Sequence, residues 1–409
     1  MNSTFWITNA RLETGYQFEN GVISGTKTEC FHLLIKGQKI ARIVPSAETI
    51  TDDLPKRDAK QKLVLPSFIE KHCHLDKTML GDRWRPVTAV NSIFERLEIE
   101  KEVLPTLETT TKERAEKLLE RYLISGVTHV RTHVDIYPEV GLKNLEEVKQ
   151  ALQTFEGKLS YEIVAFPQHG LLRTNTKDLV REALSKGANF VGGVDPATVD
   201  GDIEASLQKM VELAVEGNAG IDLHLHDPDH LGIFTMKRLA QLTKEAGLQG
   251  KVAISHAFGL GDIPLSQAEE IAELLADAGI TIISSIPIDR RFPPISLLHE
   301  KGVLVAVGCD NIFDVWSPFG NGDVLERAGR LAEISGWVDE QSLAQTLSFI
   351  TDGKTPLNSK GEQVWPKAGD EASIVVVEAS CSAEAIARRA KRIATMFKGK
   401  IVSGSIESI

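Results

Sequence analysis

The histidines of this chain are concentrated where apolar runs of sequence end. A single histidine in such a position is more often a hydrogen-bonded structural residue. Several of them together with a carboxylate are typical of a metal site, because imidazole and carboxylate both bind zinc and similar ions. Such an ion would activate water as a nucleophile. We predict one divalent metal ion, Zn²⁺ or Fe²⁺ with Mn²⁺ as the alternative, held in a site open to water by His72, His74, His224 and Asp310.

These residues need elements that bring them together, and the sequence predicts a repeating pattern of strand and helix. Eight apolar runs alternate with amphipathic stretches of about 12 residues, which is typical of βα units and a parallel sheet. We predict an α/β fold with a (β/α)₈ TIM barrel over residues 63–369, whose active site lies where the strands end. The runner-up is an open doubly wound sheet, but no glycine-rich dinucleotide turn follows the first strand. The predicted strands are 63–70, 127–135, 160–167, 189–195, 221–227, 252–256, 280–286 and 303–310.

Both termini have a different pattern from the barrel. Short β-like runs broken by turns occupy the first 62 residues, and strand-like patterning returns near the end, at 372–378 and 400–405. We predict that residues 1–62 and 370–409 form one small β-sandwich domain.

The composition limits the kinds of partner. The formal net charge is -11 and the pI is about 5.6, and a general nucleic-acid or anionic-membrane binder needs a concentrated basic surface instead. No run of 18 apolar residues predicts a membrane span, and the first 12 residues lack the pattern of an export signal. We therefore expect a cytoplasmic protein with reduced thiols and a small-molecule heterocyclic substrate; self-association into a homo-oligomer is left open.

Several motifs at the strand ends resemble those of the amidohydrolase superfamily, and specifically of cytosine deaminases. They are HxHLD at 72–76, RTHVD at 131–135, FPQ at 166–168, HxxD at 224–227, SH at 255–256 and GxDxxFDxW at 308–316. The resemblance implies the same four metal ligands. It also implies that His256 lies near the reacting carbon and that Gln168 reads the heterocycle.

This chemistry is hydrolysis at an sp² carbon that carries an amino group. Attack by metal-activated hydroxide needs a base, an acid and a group that stabilises the tetrahedral intermediate. We assign Asp310 and His256 to water activation and stabilisation, and Asp227 to proton delivery onto the ring and the leaving ammonia. Asp227 departs from the cytosine deaminase pattern, which has a glutamate there, so its carboxyl should sit about 1.5 Å further back.

Other side chains at the mouth are candidates for substrate binding. Asn311 replaces a second aspartate of cytosine deaminases and should read a different ligand edge. Asp195 is predicted to pair with an amino-bearing substituent or, equally, to cap the following helix. Trp316 could wall a flat ring by stacking or pack in its loop. Lys77 could meet an anionic group of the substrate or form a surface ion pair, and we favour the ion pair. We expect His226 to be structural, packing towards the helices.

Three functions are compatible with this site. The first is a metal-dependent hydrolytic deaminase of a cytosine-like, pterin-like or triazine-like heterocycle. The second is hydrolysis of a cyclic amide or an N-substituted aminotriazine, which would release a ring-opened acid or an amine instead of ammonia. The third is a non-catalytic barrel that binds a small molecule. A fold does not choose among substrates.

Overall fold

Eight parallel strands form a nearly closed barrel in the computed structural model, which describes residues 4–408. The strands pair with their neighbours in chain order, and helices lie between them. The predicted barrel is confirmed. Its strands are β6 (Phe68–Cys73), β7 (Val127–Asp135), β8 (Ser160–Phe166), β9 (Phe190–Val194), β10 (Gly220–His224), β11 (Val252–Ser255), β12 (Ile280–Ser284) and β13 (Val305–Val307).

The last strand meets the first just beyond the regular ladder. Cys73 and Asp310 form an isolated parallel bridge, and the backbone N–H of Asp310 donates to the carbonyl of His72 at 2.8 Å. Closure of the barrel therefore places two predicted metal ligands, from opposite ends of the chain, on adjacent backbone segments.

Amphipathic helices cover the outside of the barrel. In α2, for example, Leu118, Leu119 and Tyr122 are fully buried, and a capping box between Thr110 and Glu113 begins the helix. Two 3-10 helices lie at Leu104–Thr106 and Leu347–Ile350. The α-helices are α1 (Ile93–Val103), α2 (Thr111–Ile124), α3 (Lys143–Thr154), α4 (Lys177–Ser185), α5 (Ile203–Glu216), α6 (Asp229–Glu245), α7 (Gly259–Asp262), α8 (Leu265–Asp277), α9 (Ile295–Glu300), α10 (Val324–Ser335), α11 (Glu340–Thr346) and α12 (Ser382–Ala387).

Strands from both termini form a separate mixed sheet, as predicted. The order along it is β16-β15-β14-β5-β1-β2-β3, with β4 beside β1 and β17 beside β4. Its own apolar cluster includes Ile7, Leu33 and Ile374. The strands are β1 (Thr4–Glu19), β2 (Val22–Lys36), β3 (Lys39–Pro45), β4 (Lys56–Asp58), β5 (Leu63–Pro66), β14 (Ile374–Val377), β15 (Arg392–Phe397), β16 (Lys400–Gly404) and β17 (Glu407–Ser408).

The strand predicted over 63–70 is in fact two strands. β5 pairs with β1 and β14 of the terminal sheet, whereas the backbone N–H of Phe68 already donates to the carbonyl of Gly126 at the start of the barrel. The chain crosses between the two sheets at Ser67, and one continuous apolar run hides that crossing. None of the helices within residues 4–408 has the length and apolar character that crossing a membrane requires.

Candidate functional site

The four predicted metal ligands converge at the mouth of the barrel. The ring centroid of His72 lies 4.6 Å from that of His224 and 5.4 Å from that of His74. Oδ1 of Asp310 lies 3.4 Å from Nε2 of His72 and 3.3 Å from Nε2 of His74. All three imidazoles are buried. The positions at the ends of β6, β10 and β13 thus bring the four candidate ligand side chains to one place.

A fourth imidazole, that of His133, belongs to the same cluster. Its ring centroid lies 4.2 Å from that of His72 and 4.4 Å from that of His224. Two trios each offer ligand atoms within 4.8 Å of one another, one made of His72, His133 and His224 and the other of His72, His74 and Asp310. His133 was expected at a strand end but was not among the predicted ligands. Its position at the inner face of β7 was the available signal.

Burial favours the neutral form of three of these imidazoles, those of His74, His133 and His224. It lowers the pKa of His74 to about 4, with Lys77 adding to the effect, and it lowers the pKa of His133 and His224 well below the usual value. For Asp310 burial acts in the opposite direction, but the neighbouring histidines outweigh it and hold its pKa well below the usual value. Neutral imidazole and ionised carboxylate are the forms that bind metal.

His256 and His226 form a stacked pair beside this cluster. Nε2 of His256 lies 3.9 Å from Oδ2 of Asp310, and its ring centroid lies 4.5 Å from that of His226, with 27° between the planes. The expectation that His226 packs towards the helices is wrong. β10 ends at His224, so strand alternation no longer sets the direction of His226, and its side chain is 29 % exposed at the mouth.

Asp195 holds His226 in this position. Oδ2 of Asp195 lies 2.9 Å from Nδ1 of His226, and its Oδ1 accepts from the backbone N–H groups of His226 and Asp227. Burial opposes protonation of His226, but the carboxylate outweighs burial and raises the pKa of His226. Asp195 does not cap the following helix, α5, whose cap is Asp202.

The carboxylate of Asp227 is directed at the loop that follows β9. It accepts hydrogen bonds from the hydroxyl of Thr198 at 2.5 Å and from the backbone N–H of Ala197 at 3.1 Å. Burial raises the pKa of Asp227. Its assigned role in proton delivery stays a prediction, and two of its acceptor positions are already used by the protein.

Lys77 is one of the most deeply buried residues of the mouth. Its side chain is 1 % exposed, and Nζ lies 2.9 Å from Oδ2 of Asp135 and 3.6 Å from Oε1 of Glu100. Burial alone would lower the pKa of Lys77, but Asp135 and Glu100 raise it above the usual value. The prediction of a surface ion pair is therefore wrong. One turn beyond β6 the chain folds back into the barrel, which residue spacing alone does not indicate.

Glu100 links the predicted substrate-binding residues to one another. Its Oε1 accepts from Nε2 of Gln168 at 2.6 Å and its Oε2 accepts from Nε1 of Trp316 at 2.5 Å, while Lys77 contacts the other end of the Gln168 amide. Glu100 was missed by sequence analysis. It lies in α1 among other acidic residues, and nothing in that stretch distinguishes the one that is buried.

Asn311 directly adjoins the cluster of candidate metal ligands. Its side-chain amide donates to Oδ1 of Asp310 at 3.1 Å, the same oxygen that faces His72 and His74. Cys73 and Cys309 flank the ligands and are buried, as expected of core residues.

Comparison with known protein families agrees with the barrel and with this cluster. The model described as the amidohydrolase family matches residues 126–403, more than half of the chain. The chain belongs to that family.

Individual relatives extend over nearly the whole length. The uncharacterised protein YahJ of Escherichia coli K12 is 42% identical over 98% of this chain and 88% of its own length. N-isopropylammelide isopropyl amidohydrolase of Pseudomonas sp. strain ADP is 31% identical over 92% of this chain and 94% of its own length. The structure of 5-methylcytosine deaminase from Klebsiella pneumoniae, liganded with phosphonocytosine, is 26% identical with a TM-score of 0.81 and covers 99% of both chains. The resemblance to cytosine deaminases is thereby confirmed.

Proposed function

We propose that this amidohydrolase removes an amino group from a nitrogen heterocycle that is cytosine-like, pterin-like or triazine-like. Water adds to the ring carbon, the carbon–nitrogen bond breaks, and ammonia leaves as the ring gains a carbonyl oxygen. The observation that supports this most directly is the cluster of buried imidazoles around Asp310, which lies beside the polar wall of Lys77, Gln168 and Trp316.

The donors of the cluster fit a divalent transition metal. Among residues 4–408, Nε2 of His72 and both ring nitrogens of His224 are buried without a hydrogen-bond partner, which is costly unless a ligand satisfies them. His72, His74, His224 and Asp310 would hold the ion, and His133 lies within reach. A bound Zn²⁺ or Fe²⁺ supplies water activation, because it lowers the pKa of water from about 15.7 towards 7.

The residues of this chain would then move protons and orient the ring. In this proposal Asp310 takes the proton from the attacking water. His256, whose Nε2 lies 3.9 Å from Oδ2 of Asp310, donates to the oxygen that this water leaves on the ring carbon. Either Asp227 or His226 delivers a proton to the ring nitrogen and to the leaving ammonia. The contacts favour His226, because the carboxylate of Asp195 contacts it and raises its pKa, whereas Asp227 is engaged by Thr198 and Ala197.

A second candidate is hydrolysis of an N-substituted aminotriazine with release of an alkylamine. The 31% identity to an N-isopropylammelide isopropyl amidohydrolase over 92% of this chain favours it. So does Asn311, which offers a donor as well as an acceptor where cytosine deaminases present a carboxylate.

A substrate panel tests both candidates. Protein loaded separately with zinc, iron and manganese is incubated with aminopyrimidines, aminopterins, aminotriazines, N-alkylaminotriazines and cyclic ureas, and the release of ammonia and of alkylamine is measured. Asp310→Asn serves as the matched inactive control. Ammonia from an unsubstituted amino heterocycle supports the first proposal, and alkylamine supports the second. Binding of a heterocycle without turnover by any metal form would contradict both and favour a non-catalytic barrel.

A further inference from the structure

A chain of buried polar contacts extends from His72 into the interior of the barrel, away from the mouth. Nδ1 of His72 lies 2.8 Å from Oγ of Ser255, which donates to Oδ1 of Asp222 at 2.8 Å. The guanidinium of Arg131 donates to Oδ2 of Asp222, also at 2.8 Å. His72, Ser255 and Asp222 are at most 1 % exposed, and Arg131 is 8 % exposed.

The direction of each hydrogen bond in this chain is determined by its neighbour. Asp222 accepts from Arg131 through Oδ2 and from Ser255 through Oδ1. The single hydroxyl proton of Ser255 therefore goes to Asp222. Ser255 must then accept from His72, which places the imidazole proton of His72 on Nδ1. Its Nε2 is left with a free lone pair, and this is the nitrogen that faces Asp310 at 3.4 Å.

We propose that Arg131, Asp222 and Ser255 are positioning residues that fix His72 in the tautomer and orientation needed to bind the metal ion. The inference rests on the proposed metal site, in which Nε2 of His72 is a ligand. Partners in the outer shell of this kind hold a ligating histidine and raise its basicity, and their loss typically weakens metal affinity by about 10–100-fold.

Two further contacts hold the guanidinium of Arg131 beside Asp222. Nε of Arg131 donates to Oε2 of Glu162 at 2.8 Å, and its guanidinium carbon lies 3.9 Å from the ring centroid of Phe190. An isolated carboxylate at the site of Asp222 would be costly to bury. The arginine of the RTHVD motif thus acts on the metal site without touching it.

The test is zinc affinity, measured by competition with a chelator. Ser255→Ala should weaken zinc binding about 10–100-fold, whereas Ser255→Thr, which keeps the hydroxyl, should restore most of the affinity. Ser284→Ala is the matched control: Ser284 ends the neighbouring strand β12, is equally buried, and lies outside the chain of contacts. Asp222→Asn should act in the same direction as Ser255→Ala. Thermal unfolding of the metal-free proteins verifies that each variant folds.

Coupling to His72 separates the two proposals. If His72→Ala leaves zinc affinity unchanged, the proposed metal site is wrong. If His72→Ala weakens binding but Ser255→Ala does not, the metal site stands and the positioning role is wrong. If the metal site and the positioning role are both correct, adding Ser255→Ala to His72→Ala should cause no further loss of zinc affinity, because the contact between Ser255 and His72 is already absent. A full additional loss in the double variant would also overturn the inference.

Discussion

The proposed reaction needs one side chain to act as the proton donor to the heterocycle. Two side chains compete for it, and the protein treats them differently. Asp227 is hydrogen-bonded to the loop after β9, while His226 is paired with Asp195 and stacked on His256. An acid catalyst needs a proton to give at the working pH, and the carboxylate of Asp195 raises the pKa of His226, which favours the protonated form.

We predict that removing His226 harms catalysis more than removing the charge of Asp227. His226→Asn should lower kcat by a factor on the order of 10² to 10⁴, the usual contribution of a general acid, with bound metal retained. Asp227→Asn should have a smaller effect. Steady-state kinetics and metal analysis of both variants make the comparison. The reverse order of damage would assign the proton to Asp227, as the sequence pattern suggested.

We expect Gln168 to contact the ring of the substrate. Its amide is held at both ends, by Glu100 and by Lys77, so it presents a fixed edge to a ring. Gln168→Ala should raise KM by more than it lowers kcat or metal content, because a lost binding contact acts on the ground state and the transition state alike. The exposed Gln153→Ala on α3 is the control. An unchanged KM would remove Gln168 from the substrate site.

At the scale of elements, the loops after the strands carry both the site and the backbone strain. Asp195, His256 and Asp310 all have positive φ, at 38°, 71° and 61°, in a region that costs non-glycine residues about 1–3 kcal/mol and tends to be retained at functional sites. In each case the turn directs the side chain at the mouth after the strand ladder ends. Strained turns of this kind persist because the surrounding barrel holds them in place.

The loop after β13 also holds a buried acid, which gives a stability prediction. Oδ1 of Asp314 accepts from the backbone N–H groups of Trp316 and Ser317, and its Oδ2 has no partner within the described chain. Burial raises the pKa of Asp314 to about 8, against about 3.9 for an unfolded chain. Between those values the native state holds the extra proton, so this residue's favourable contribution is complete below pH 4 and is lost as pH rises to 8.

Asp314→Asn keeps the acceptor oxygen without the ionisation. Its melting temperature relative to the parent protein should therefore increase steadily from pH 5 to pH 8. The exposed Asp352→Asn serves as a control and should show no such trend. A difference in melting temperature for Asp314→Asn that does not change with pH would show that Asp314 is ionised in the native state.

At the scale of the whole molecule, metal binding should stabilise the fold, because the ligands come from segments far apart in the chain. His72 and Asp310 join the first and last strands where the barrel closes. A ligand that binds only the native state at 100 times its Kd adds about 2.7 kcal/mol to the free energy of unfolding. We predict a melting temperature that rises with zinc concentration and falls on chelation. The His72→Ala, His74→Ala double variant should respond to neither, and an equal response would place the ion elsewhere.

The pattern of strands and helices was enough to predict the barrel and the group of candidate ligands that meets at its mouth. Strand periodicity puts His72 and His74 on one face, and the carboxyl ends of parallel strands all meet at one mouth, so residues at the strand ends of a barrel are brought together by topology alone. His224, His256 and Asp310 followed from the same rule. These features depend only on local pattern and on the order of the elements.

Which residues become partners beyond the strand ends depends on tertiary packing. Lys77, Glu100 and His226 lie in segments without strand periodicity, and their burial and pairing depend on how loops from different βα units fold over one another. Ser255 and Asp222 lie inside strands, yet only barrel closure brings Ser255 to His72 and Asp222 to Arg131. Such contacts join residues up to 183 positions apart. Local sequence fixes which face a side chain occupies, but the partner across that face is fixed by the packing of the whole barrel.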